Sequence, residues 1–190
     1  MGTKNLGITR GADIFKVPFE KIICEPTKNG RIDYGDIEGL ALSILENGQK
    51  QPIHATKTGN TPETLRFILR DGFRRYAAIK YIREELKQDF PYILVMGTGR
   101  NYTEIDGLFE QIVSNDGKPF NMLEEGNVYK ALTSQGEIES TIAKRIGKSP
   151  QHVKNCLLLA ELPANLKEYI INDHISCTFM LQLAREHVDY

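Results

Sequence analysis

The stretch "IESTIAKRIGKSPQHVKNCLLLAELP", residues 138–163, reads as two short helices joined by a tight turn. Ile138, Ile142, Ala143 and Ile146 recur at helical spacing, and the run stops at Gly147. The second helix starts with Ser149 as N-cap and Pro150 at the first helical position, where a missing N–H costs no helical bond. Val153, Cys156, Leu157 and Ala160, at i, i+3, i+4 and i+7, predict its inner face. Ala143 is small enough for two helices to cross closely, and Gly147 permits a left-handed turn between them.

The outer face of the second helix then presents Gln151, His152, Lys154 and Asn155. Glutamine and asparagine can pair with adenine edges in a major groove, while Arg145, Lys148 and Lys154 are placed for phosphates. With Ser149 at the head of the helix, these seven residues form a candidate DNA-binding set. The same pattern fits an αα-hairpin with a solvated polar face. Charge does not choose between the two, because Lys130–Tyr190 holds as many Lys and Arg as Asp and Glu.

Working outward, 190 residues with 41% apolar content can bury one good core or two small ones. A net charge of −1 supplies no global field toward nucleic acid, so anions must be held by local clusters. Cys24, Cys156 and Cys177 are widely spaced and contain no CxxC, so they read as small buried groups in a reducing compartment rather than zinc ligands. His152, His174 and His187 show no HExxH or paired spacing, so no metal is expected there. Met1–Arg10 has no apolar run and no stretch approaches membrane-spanning length, so the expectation is a cytoplasmic protein without a membrane partner.

The first half alternates strand and helix. Ile37, Leu40, Ala41, Ile44 and Leu45 share a helical face ending at Gly48, "QPIHATK" and "LRFILRDG" read as strands, a helix spans 73–86, and "FPYILVMG" is a further strand. That helix begins "GFRRY", with Arg74 and Arg75 in its first turn, although cations there oppose the macrodipole. An arriving anion would resolve the conflict, since free N–H groups and guanidinium forks converge on it. From Arg66 to Lys87 seven basic residues face three acidic ones. Gly72 at the junction and the turn "GQKQP" at 48–52 suit a phosphate or nucleotide pocket, although neither GxxxxGK[ST] nor GxGxxG is present. Pairing of the two arginines with surface carboxylates is the plain alternative.

Four segments in one order resemble the ParB family, whose N-terminal domain shares its fold with sulfiredoxin. "SILENGQKQPIHA" is similar to its first box and "DGFRRYAAIKYI" to its GERRxxA phosphate motif. "IVSNDGKPFNMLEEGNVYKAL" resembles its ENxxR box, and "TIAKRIGKSPQHVKNCLLLAELP" its helix-turn-helix. The resemblance covers about residues 14–185. It implies an α+β chain, with a flexible N-terminus at 1–13, a ParB/sulfiredoxin-like nucleotide-binding domain at 14–116, and an all-α DNA-binding domain at 117–190 with its helix-turn-helix at 138–161. It also implies CTP, with Mg²⁺, as ligand, a palindromic duplex site, a homodimer that closes around DNA, a partner ATPase, and a nucleoid- or plasmid-associated location. Carried over by position, Gln51, Gly72, Arg74, Arg75, Asn115 and Lys118 would line the nucleotide site.

Three departures bear on activity. Phe73 stands where the family has Glu, and Ser114 where the ENxxR box has its acid, so a carboxylate for Mg²⁺ is missing and hydrolysis is expected to be weak or absent. The family's dimerisation segment does not follow Tyr190, which suggests a shortened chain or a short phage or plasmid version. The sulfiredoxin reaction is set aside because position 73 lacks a cysteine. Two other classes stay open. One is a metal-dependent ParB-like nuclease using Asp71, Glu124 and Glu125, and the other is a non-catalytic DNA-binding adaptor.

Overall fold

The structure, a computed structural model, describes residues 14–25, 29–98, 102–113 and 118–187, so the segment expected to be flexible, 1–13, lies outside it. The chain divides into two compact units. One holds residues up to Cys24 together with Glu38–Tyr102, and the other holds Glu25–Ile37 and everything from Thr103 onward.

The first unit is a mixed five-stranded sheet with helices. Its strands are β1 (Ile14–Pro18), β2 (Ile22–Ile23), β3 (Ile53–Thr58), β4 (Arg66–Asp71) and β5 (Tyr92–Gly97), in the order β1-β5-β3-β4-β2. β3 and β4 form an antiparallel hairpin with Thr58 opposite Arg66, and β1 runs antiparallel to β5. β5 lies parallel to β3, with Ile53 beside Val95, and β2 parallel to β4. Alternate residues are buried along the strands, as a pleated ribbon with one face in the core requires: Ile53 and Ala55, Phe67 and Leu69, Ile93 and Val95. Helix α1 (Ile37–Asn47) adds Ala41 and Ile44, and helix α2 (Phe73–Glu84) adds Phe73, Ala78, Ile79 and Ile82. Leu45, expected on the buried face of α1, is 39% exposed.

The second unit is helical: α3 (Glu104–Val113), α4 (Met122–Ser134), α5 (Glu139–Ile146), α6 (Pro150–Glu161), α7 (Ala164–Ile171) and α8 (Cys177–His187). The expected division at 116/117 is therefore moved to 102/103. Leu108 and Phe109 of α3 are buried with Val128, Tyr129 and Leu132 of α4, so α3 belongs to the helical core. Residues 29–33 also join this unit, which their sequence does not announce. Buried Glu124 explains it. Its carboxylate accepts the backbone N–H groups of Ile32 (2.8 Å) and Asp33 (2.9 Å) while closing a capping box with Asn121.

α6 packs chiefly on α4. Gly126 makes this possible, because a Cβ there would lie 2.0 Å from the Cys156 carbonyl oxygen. Among the described residues no helix is long and apolar enough to cross a membrane.

Candidate nucleic-acid interface and anion pocket

The turn between α5 and α6 follows from two residues. Gly147 adopts a left-handed conformation (φ 69°), and the Lys148 N–H returns to the Ala143 carbonyl at 3.0 Å, closing the end of α5. Ser149 Oγ then accepts the His152 N–H at 3.1 Å and starts α6, with Pro150 at the head of the helix. Ile142, Ala143, Val153 and Cys156 carry both helices onto α4 in one core, as their spacing predicts. Ile138 does not share that face. It is the N-cap residue of α5 and 64% exposed, because the helix starts only at Glu139.

The outer face of α6 is only partly as expected. Lys148, Ser149, Gln151 and Lys154 are exposed. Gln151 Nε2 donates to Asn155 Oδ1 at 2.9 Å, and the same oxygen accepts Arg185 Nη2 from α8 at 2.7 Å. Amide and guanidinium thus form one polar array, and Arg185 is a cation that the sequence reading omitted. Only the fold reveals it, thirty residues along the chain from Asn155. Lys154 lies 3.9 Å from Glu139, an exposed pair easily exchanged for another anion.

Two members of the set have side-chain partners within the helical unit. Arg145 is exposed but paired within the unit, with Nη2 2.5 Å from Asp106 and its guanidinium 3.9 Å above the Phe109 ring. The Thr103 backbone N–H first, and then Arg145, hold the Asp106 carboxyl below the usual carboxylate range. His152 is partly buried. Its Nε2 lies 2.5 Å from Glu125 Oε2 and 3.5 Å from Cys156 Sγ, because its position in the first turn of α6 places the ring over α4.

In the first unit a cleft of about 310 Å³ is lined by Leu40, Ile44, Asn47, Lys50, Gln51 and Arg75, among others. That is at the small end of ligand sites, roughly 300–1,000 Å³. Gln51 and Arg75, taken from separate motifs, do meet here. Gly72 and Arg74 do not line the cleft. Gly72 is the N-cap of α2 at φ 89°, where a Cβ would meet Ile53 at 2.9 Å, so its requirement is for close packing. Phe73 is buried, which accounts for an apolar residue at that position. Arg75 donates to the Pro52 carbonyl at 2.5 Å and sits 3.8 Å from Asp71, so the ion-pair alternative holds for it in part.

Gln49, which the sequence reading passed over, builds the cleft's rim. It is buried, donates to the Gln51 and Leu94 carbonyls, and accepts the Leu94 N–H, fixing the turn to β5. Its side-chain amide mimics a neighbouring peptide, a use that spacing alone does not disclose. Lys118 belongs to the helical unit and pairs with Asp33, whose carboxyl that hydrogen bond lowers. Asn115 and Ser114 lie outside the described residues. The carboxylates considered for a nuclease are separately engaged: Asp71 with Arg75, Glu124 with backbone, and Glu125 with His152.

Sequence comparison completes the picture. Residues 118–186 match the family described as the ParB HTH domain. The chromosome-partitioning protein Spo0J of Thermus thermophilus is 29% identical over 167 residues, covering 87% of this chain and 58% of that protein. Chromosome-partitioning protein ParB of Caulobacter vibrioides is 32% identical over 142 residues, 74% of this chain and 44% of that one. The chain spans about half the length of these curated relatives. A C-terminally truncated Caulobacter crescentus ParB, solved with its centromeric parS site, shares the fold at a TM-score of 0.54 and 23% identity, over 90% of this chain and 84% of that one. The α+β architecture and the helix-turn-helix together define a two-unit class, a mixed-sheet unit followed by a ParB-type helix-turn-helix unit. Residues 118–186 belong to the ParB HTH-domain family, and over most of its length the chain is similar to ParB and Spo0J proteins.

Proposed function

We propose that this chain is a sequence-specific DNA-binding protein of ParB type, acting in plasmid, phage or chromosome partitioning or in the regulation tied to it. The observation that carries the reading is α6. It is capped by Ser149, packed on α4 through its inner face, and leaves Gln151, Asn155, Lys148, Lys154 and Arg185 as a polar, cationic outer face. A helix so presented fits a major groove, with the lysines on phosphates and the amides on base edges. Affinity arises largely from phosphate contacts and falls with salt.

The cleft beside Gln51 and Arg75 takes a nucleotide, CTP by family resemblance. Lys50 and Arg75 offer charge to the phosphates, and Leu40 and Ile44 an apolar wall. Nucleotide binding gates the DNA-bound state, in a homodimer on a palindromic site with a partner ATPase, in the cytoplasm on nucleoid or plasmid DNA. Equilibrium binding of labelled CTP tests the nucleotide half. Arg75→Ala and Lys50→Ala should each weaken it at least tenfold. One specific observation favours the adaptor class, since Arg75 already holds Asp71 and Pro52. No CTP binding by the wild-type chain would establish that class instead.

A further inference from the structure

Among the described residues, one place brings metal-ligating atoms of three side chains together: Glu125 on α4 with His152 and Cys156 on α6, all within 4.8 Å of one another. We propose that this triad is a Zn²⁺ site joining α4 to α6. The donor chemistry suits zinc, with one imidazole, one thiolate and one carboxylate, a mixture that hard cations such as Mg²⁺ do not select. Charge also balances, since thiolate and carboxylate neutralise a divalent ion at a partly buried position.

The geometry is close to what coordination requires. Zinc ligand lengths of about 2.0–2.3 Å place tetrahedral sulfur and nitrogen, or sulfur and oxygen, about 3.5–3.6 Å apart. Cys156 Sγ lies 3.5 Å from His152 Nε2 and 3.6 Å from Glu125 Oε2. Only the Nε2 to Oε2 separation, 2.5 Å, must open, to about 3.3 Å. A small χ rotation of His152, whose side chain is 26% exposed, supplies that. His152 and Cys156 are four residues apart on one helix face, so the ligand pair is preset by α6. Tyr129 Oη donates to Glu125 Oε2 at 3.2 Å and helps fix the orientation of the carboxylate. On binding, the Cys156 thiol gives its proton to solvent and the sulfur donates to zinc. The fourth position is left to water.

The test uses the reduced, intact chain and Co²⁺ as a spectroscopic substitute for zinc. One equivalent of Co²⁺ should produce a sulfur-to-cobalt charge-transfer band and the visible bands of a tetrahedral site, and added Zn²⁺ should displace them. Cys156→Ala should abolish the charge-transfer band, while the Cys24→Ser, Cys177→Ser double variant keeps it. Glu125→Gln, which preserves shape should Cys156→Ala fold poorly, should lose at least tenfold in affinity. Absence of the band in the wild-type chain, its persistence in Cys156→Ala, or unchanged affinity in Glu125→Gln would each overturn the proposal.

Discussion

At the scale of single residues, the protein is governed by close approach and by where polar atoms find partners. Gly126 lets α4 and α6 touch. With a Cβ 2.0 Å from a backbone oxygen, Gly126→Ala must push the helices apart, at a cost of about 1–3 kcal/mol or more. Urea unfolding of the two proteins measures this, and equal midpoints would contradict it. Asp106 makes a second prediction, this one in pH. Its folded carboxyl titrates lower than in the unfolded chain, so its contribution is complete above the unfolded value of about 3.9 and lost as pH falls through the folded one. Asp106→Asn should therefore flatten the stability profile below about pH 4, by no more than roughly 1 kcal/mol because Arg145 and Asp106 are partly exposed. An unchanged profile in thermal melts from pH 2 to 6 would contradict this assignment.

At the scale of elements, the α5-turn-α6 unit was legible because local physical chemistry decides it. Ser149, Pro150 and Gly147 can each do little else at those positions, and the cap, the first-turn proline and the left-handed turn all occur as read. Ser149→Ala should cost about 1 kcal/mol and fray the first turn of α6, which amide hydrogen exchange at His152 and Val153 would register as faster exchange than in the wild-type chain. The side-chain assignments were less legible. Helical spacing leaves His152 at the edge of the inner face, one turn before Cys156, and the choice between solvent and the top of α4 depends on Glu125, twenty-seven residues away. Arg145 shows the same limit, since its partners Asp106 and Phe109 lie on α3. Arg74 and Arg75 are adjacent in the sequence, yet successive helical residues point about 100° apart, so only Arg75 lines the cleft.

At the scale of the whole molecule, the two units draw on non-contiguous chain. Residues 29–33 join the helical unit through the buried Glu124 carboxylate, the Gln111 side chain and the packing of Ile32, partners far along the chain that no local periodicity could have placed there. Glu124→Ala would leave the amides of Asn121, Ile32 and Asp33 without their acceptor, and unfolding should show a loss of about 3 kcal/mol or more. The central claim, that α6 reads duplex DNA, is tested most directly by paired titrations. A site selected from random duplexes and a scrambled duplex are titrated with the wild-type chain and with Gln151→Ala, at two salt concentrations. The account predicts a loss of about 1–3 kcal/mol on the selected site alone, with the salt dependence unchanged. An equal loss on both duplexes, or none on either, would contradict it.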